Sequence, residues 1–472
     1  MPANQVTLVA PAVSDRAAFI SAIAASPDDD LPKLVFADWL EEHGEGARAE
    51  FIRLQIAARN EANQFPPVTD AKKLARIREL FLSNYRDWLH PVYDALAEPL
   101  PVFEEEQPKP TLLGRLVRGL RNLGRPAVEH AGDASRCRLD VSPFRLLYSH
   151  PGQFVALGGL VFRGGFLDSL YWAPDALQPA AELGDLFAAE PITDVMVSLP
   201  AQAEMWQRID GPHLGCVHRL HIFLHSGVGA VPSEFAEAMC ASEHLGSVRE
   251  FTIHRDYTFE GLFSVALFNT LRRSPFRRQL TSLRLDGIAE VTTFLTDPDP
   301  GFDALQDLSV QFVVPPGEAD LFGGGVSATL CGQLRRLEVS TPVADVRWLT
   351  NGPSWEKLEG LSFQQSGMGT ASLGALGRSS LLPALTHLSI IDFNLTDADL
   401  FTLARSPLVE RLHLLELDGR TLGDDAVRIL AGVLDRGLQR LRLRGIAGEK
   451  LWKELTVRFG GRVELTAGEQ LA

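Results

Sequence analysis

The residues of this chain best suited to chemistry fall in two clusters. The first is Asp38, Glu41, Glu42 and His43, within LVFADWLEEHGEGARAEFIRLQ (34–55). Carboxylates beside an imidazole could move protons or hold a metal. The second is the run His213, Cys216, His218, His221 and His225, whose side-chain types suit zinc. The elements that must carry these residues argue against both. In the first cluster Val35, Phe36, Trp39 and Leu40 cover a wide apolar helix face. Asp38 falls between Leu34 and Val35 around that helix, so at least partial burial is expected, with Arg48 or Arg53 as partner. Such a cluster reads as a fixed ion pair or a solvated face. In the second, His221 faces out of a strand while His225 sits where the chain leaves it, so the two point differently. No catalytic, cofactor-binding or metal residue is assigned. The sequence holds no GxxxxGK[ST], GxSxG or HExxH motif, which points away from an enzyme.

A repeat dominates the rest. LTSLRL (Leu280), LQDLSV (Leu305), LRRLEV (Leu334), LTHLSI (Leu385), LHLLEL (Leu412) and LQRLRL (Leu438) share an LxxLxL pattern. Weaker copies are LDSLYW, ITDVMV, VHRLHI, VREFTI and LEGLSF. The eleven central residues, Leu170, Val195, Leu220, Phe251, Leu283, Leu308, Leu337, Leu361, Leu388, Leu415 and Leu441, recur every 24 to 32 residues. This pattern resembles a leucine-rich repeat solenoid. The resemblance implies short parallel strands lining a concave side and helices on the convex side. Eleven strands about 4.8 Å apart would span roughly 48 Å. The returns TDADLFTLARSP and GDDAVRILAGVL each open with a capping residue and an acidic first turn, so helices are expected there. The Asn that usually follows the last strand Leu is missing. Asp175, His225, Asp256, Ser366 and Arg420 are among its replacements, so an irregular backbone ladder is expected. EKLWKELTVRFGGRVELT (449–466) predicts a closing helix and strand.

Residues 14–60 predict three helices. Ser14 or Asp15 caps the first, Asp30 and Pro32 start the second, Gly44 ends it, and the third runs over 47–60. Within AAFISAIAASPDDDLPKLVFADWLEEHGEGARAEFIRLQ, the DDD–LP turn, VFADWLEEHG and RAEFIRLQ make this stretch similar to the bacterial repeat-companion domain, a short helical module that precedes leucine-rich repeats. That resemblance implies architecture and no activity. A fourth helical stretch over 71–97 is expected to join the other three and dock onto the solenoid.

The expected fold class is therefore α/β: a leucine-rich repeat solenoid over 141–472, capped at 445–472, with an all-α module over 1–97. Between them, 98–140 reads as a linker. It begins with a Pro- and Glu-rich connector and continues into TLLGRLVRGLRNLGRP. On a helix over 111–125, Leu112, Leu113, Leu116, Val117, Leu120 and Leu123 take one face, and Arg115, Arg118, Arg121 and Arg125 the other. Such a helix could touch an anionic membrane, bind RNA or grip an acidic partner, or its Leu face could pack on the protein with its Arg face on the protein's own acidic surface.

Positions three, five and seven of each strand should face the concave side. There Tyr171, Met196, Arg219, His221, Phe223 and His254 form a mixed aromatic and cationic patch. Arg440, Arg442 and Arg444 form a second patch beside Glu416 and Asp418. Both are candidate partner-binding residues, since aromatics and Arg dominate interface hot spots. The formal net charge of −15 argues against general nucleic-acid binding. The longest nearly apolar run, FVALGGLVF, is too short to span a bilayer. Four scattered cysteines and the absence of a signal-like N-terminus suggest a reducing, cytoplasmic setting. The expected function is a non-catalytic scaffold that binds a protein on the concave face. The alternatives are an adaptor acting through 111–125, or an enzyme with an unrecognised site.

Overall fold

A computed structural model describes residues 15–62, 70–88, 100–102, 137–140, 159–164, 166–172, 180–200, 203–225, 233–255, 269–288, 301–312, 326–340, 346–364, 369–391, 395–418, 422–444 and 455–466. One sheet of fifteen strands runs in strict chain order through them. Its first strands, β1 (Leu100–Val102), β2 (Cys137–Asp140), β3 (Gly159–Arg163) and β4 (Phe166–Trp172), pair antiparallel. From β4 onward every pairing is parallel. The strands are β5 (Asp194–Pro200), β6 (Arg219–His225), β7 (Glu250–Arg255), β8 (Ser282–Ile288), β9 (Asp307–Phe312), β10 (Arg336–Ser340), β11 (Gly360–Gln364), β12 (His387–Ile391), β13 (Leu414–Asp418), β14 (Arg440–Arg444) and β15 (Val463–Thr466).

Twelve parallel strands thus stack in a solenoid-like α/β fold. The eleven repeat centres, from Leu170 to Leu441, pair in register with one another, and Val463 closes the column. Alternation explains the register. Among the described residues, positions four and six of the copies are buried, as in Leu337 and Val339, and most of their neighbours are half-buried or exposed, Ser169, Thr252, Arg284, Glu416 and Asp418 being buried polar exceptions. Slipping one residue would turn the whole apolar column to solvent. From β5 to β12 the carbonyl just before each strand takes two N–H donors from the next repeat. The Thr193 carbonyl accepts from His218 and Arg219 at 2.8 and 2.9 Å, and the Gln306 carbonyl accepts from Arg335 and Arg336 at 2.7 and 3.0 Å. This bridge recurs from repeat to repeat, so the backbone ladder is regular at that point. The side chains of Asp175, His225, Asp256, Ser366 and Arg420, where the Asn substitutes were expected, lie outside the described residues.

The returns vary in kind. Early ones use short helices and 3-10 turns that start on proline, such as Pro212–Cys216 and Pro275–Gln279. The late ones are α-helices, Thr370–Arg378, Asp397–Ala404 and Asp424–Asp435. Thr396 and Asp399 form a reciprocal capping box on the second of these. The Gly423 N–H, just before the third, donates to Asp397 Oδ1 at 2.8 Å. A helical segment over 455–459 precedes β15.

Four helices precede the sheet: α1 (Asp15–Ala25), α2 (Asp30–Glu42), α3 (Gly46–Ala62) and α4 (Ala71–Trp88). Asp29, rather than Asp30, is the N-cap of α2, accepting from the Leu31 N–H. Gly44 ends the helix at a φ of 86°. Two further expectations for α2 are corrected. Its buried face is Lys33, Phe36, Ala37 and Leu40, an arc of about 100° that leaves Val35 and Asp38 outside it. Val35 is 45 % exposed, and Asp38 meets solvent. Arg53 does pair with Asp38, at 2.7 Å, and also with Glu41 at 2.7 Å.

α4 joins the bundle through Arg76, whose Nε and Nη2 donate to the two Glu50 oxygens at 2.8 Å each. The bundle's core is continuous with that of the sheet. Phe81 meets Phe162 edge-on at 5.2 Å, and Phe36 stacks on Phe166 at 5.6 Å. The segment expected as a linker includes β1 and β2 at its two ends. Residues 111–125, with the basic face, lie outside the described residues.

Candidate interaction surface

The concave columns carry charges that largely answer one another across strands. At the N-terminal end, Arg219 on β6 lies 3.3 Å from Asp194 on β5 and 3.6 Å from Asp168 on β4. Asp194, the larger influence, raises the guanidinium further above its ordinary value. His221 Nε2 is 3.5 Å from the other Asp194 oxygen. Ser169 Oγ lies 3.3 Å from both Asp168 and Asp194. Glu250 flanks Arg219 on β7. Burial pushes its carboxyl up against the opposing pull of Arg219, and Asp194, Asp307 and Asp28 push it further. Asp28 comes from the turn before α2. Its charge acts to raise His218 and Arg219, although burial leaves His218 lowered overall.

Further along, Arg336 Nε lies 2.9 Å from Asp307, and Arg284 lies 3.6 Å from Glu338, which accepts from Gln364 at 2.7 Å. At the C-terminal end Glu416 is almost fully buried. It accepts from Arg444 Nε at 2.7 Å and from Ser389 Oγ at 3.1 Å. Arg442 donates to Glu464 on β15 at 3.0 Å.

Against that geometry the expected contact residues divide. Arg219, His221, Arg442 and Arg444 are held by the protein's own carboxylates. Met196 and Phe223 are half-buried on β5 and β6, and Arg440 is exposed on β14. Tyr171 and His254 belong to β4 and β7, but their side chains lie outside the described residues. Sequence reading placed Gln364 and Ser389 among the outward-facing positions but missed Asp168 and Glu464 as members of the surface. Asp168, at position two of its copy, gave no outward signal.

Among the described residues the histidine and cysteine run does not converge. Cys216 packs inward, its thiol pushed up to about 11 by burial and donating to the Ile192 and His213 carbonyls at 3.5 and 3.2 Å. His213 is lowered by burial and lies 5.2 Å from the Phe187 ring, while His221 faces Asp194. Among the described residues no three His, Cys, Asp or Glu side chains are grouped to hold a metal ion. Among them, too, no helix is long and apolar enough to cross a membrane.

Fold and surface together define a solenoid-like α/β protein with a helical bundle on its first strands and a charge-paired face on its parallel sheet. No family model and no curated protein matches the chain. Among solved structures it is similar to the crystal structure of a Bacteroides fragilis protein, a structural-genomics target, at 14 % identity. The match covers 71 % of this chain and 90 % of that one, with a TM-score of 0.39.

Proposed function

We propose that this chain is a leucine-rich repeat protein with an N-terminal repeat-companion module, acting as a non-catalytic scaffold that binds a partner protein on its concave face. The observation that carries this reading is the register. Twelve stacked strands present side chains at fixed positions over a broad surface, a form suited to recognising another protein. Internal ion pairs hold those side chains in place, so little rotamer freedom is lost on binding. Met196 and Phe223 supply apolar contact at one end, and Arg440 an exposed cation at the other. Cys216, Cys240 and Cys331 are free thiols, which supports a reducing, cytoplasmic setting.

The test is affinity capture from the native host's lysate, comparing wild type with a variant carrying Met196→Ala, Phe223→Ala and Arg440→Glu. A protein retained by wild type and lost by the folded variant is expected. Partners that survive the variant would move the function off this face.

A further inference from the structure

We propose that Arg48 is a clasp that locks the helical bundle onto the first strands of the sheet, so that bundle and first repeats open as one unit. Arg48, on α3, is 4 % exposed, an unusual place for a guanidinium. Its Nη2 donates to both Glu190 oxygens, at 2.9 and 3.0 Å. Glu190 follows the first return helix, Ala180–Ala189, and is 3 % exposed. The same carboxylate accepts the Leu167 N–H at 2.9 Å, so it also holds the backbone of β4. The guanidinium carbon lies 4.7, 5.5 and 5.7 Å from the ring centres of Trp88, Phe162 and Phe166. Those rings come from α4, β3 and β4, so a single cation touches the bundle and the sheet together.

Withdrawing the bundle would break the Arg48–Glu190 pair and uncover the buried Phe162 and Phe166 rings. Returning that apolar surface to water is unfavourable. Undocking the bundle therefore destabilises the first strands with it. Lys33 adds a second tie. Its ammonium donates to the Pro27 carbonyl, and its stem lies over Gly164 in the β3–β4 turn.

The experiment is hydrogen exchange with mass spectrometry on the full chain across a urea series, for wild type, Arg48→Met and the control Arg53→Ala. In wild type, peptides from 30–62 and from 166–200 are expected to lose protection at one common urea concentration. Arg48→Met is expected to shift both midpoints down together and to speed exchange at the Leu167 amide at least tenfold. Arg53→Ala, at an exposed pair, should leave both in place. Opening of the 30–62 peptides in wild type while 166–200 stays protected would overturn the proposal, as would an Arg48→Met effect confined to the bundle. If Arg48→Met does not fold, the wild-type comparison alone decides between one unit and two.

Discussion

Arg444 donates to Glu416 across the β13–β14 pair at 2.7 Å, and the carboxylate it reaches is only 4 % exposed while the guanidinium is 41 % exposed. The arginine is thus partly a lid over a buried acid. Arg444→Ala would leave Glu416 with Ser389 as its remaining named donor, a loss of about 1–3 kcal/mol. Glu416→Gln in the same background should recover part of it, because the uncompensated charge is gone. Urea unfolding of both variants checks this. Equal stability of Arg444→Ala and wild type would contradict it.

Close packing between return helices gives a sharper test. A Cβ at Gly377 would sit 2.4 Å from Ser406 Cβ, whereas one at Gly374 would meet only flexible Arg378 and Thr402 atoms at 3.3 Å or more. Gly377→Ala should therefore cost about 1–3 kcal/mol by overpacking. Gly374→Ala should be neutral or gain up to about 1 kcal/mol of helix propensity. Thermal melts of the pair would show opposite or clearly unequal shifts.

The Thr396–Asp399 capping box predicts a pH dependence. Burial raises the Asp399 carboxyl, but donation from the Thr396 and Thr370 hydroxyls and the Thr396 N–H more than offsets this, so the group titrates below its ordinary value. A depressed folded value means the ionised form stabilises the fold. The contribution is fully present above the ordinary carboxylate range and is lost as pH falls through the folded value. Asp399→Asn should lower stability at pH 7 by about 1 kcal/mol, with the gap to wild type closing in acid. Melting temperatures of the two proteins from pH 7 to 3 measure it. A constant gap would refute the linkage.

Asp28 should be visible from the sheet. Burial lowers His218, helped by Arg249 and Arg219, while Asp28 raises it. Asp28→Asn removes the raising charge, so the His218 imidazole should titrate at lower pH than in wild type. Histidine-selective NMR titration reads this directly. An unchanged midpoint would separate the bundle's turn from the concave rim.

Thiol chemistry offers a probe of the core. Burial pushes Cys240 and Cys331 up to about 12. Neither should be alkylated by iodoacetamide at pH 8 in the folded chain, since the thiolate is the nucleophile. Both should label in urea. Peptide-resolved labelling of the native protein within minutes would contradict the burial described.

The repeat was legible from sequence because a strand has a period of two and one buried face. LxxLxL therefore states both which residues point inward and where the next strand must align. All eleven centres fell in one column for that reason. Helix starts were legible where a side chain near in sequence does the capping, as at Thr396. On α2 the apolar pattern was ambiguous. Val35 is apolar yet sits outward, because the bundle buries the arc centred on Phe36 and Leu40 instead.

Only the tertiary structure decided where the bundle goes. Arg48 and Glu190 are 142 residues apart, and neither residue's neighbours mark it for burial. Their pairing depends on the bundle core and the first strands meeting at Phe162 and Phe166. The same holds for the concave surface. Sequence listed Arg219, His221, Arg442 and Arg444 as outward-facing, yet what holds each depends on which carboxylate a neighbouring strand brings beside it. Periodicity fixes direction along one chain segment, while pairing between side chains depends on spacing across strands and on docking, which no local pattern records.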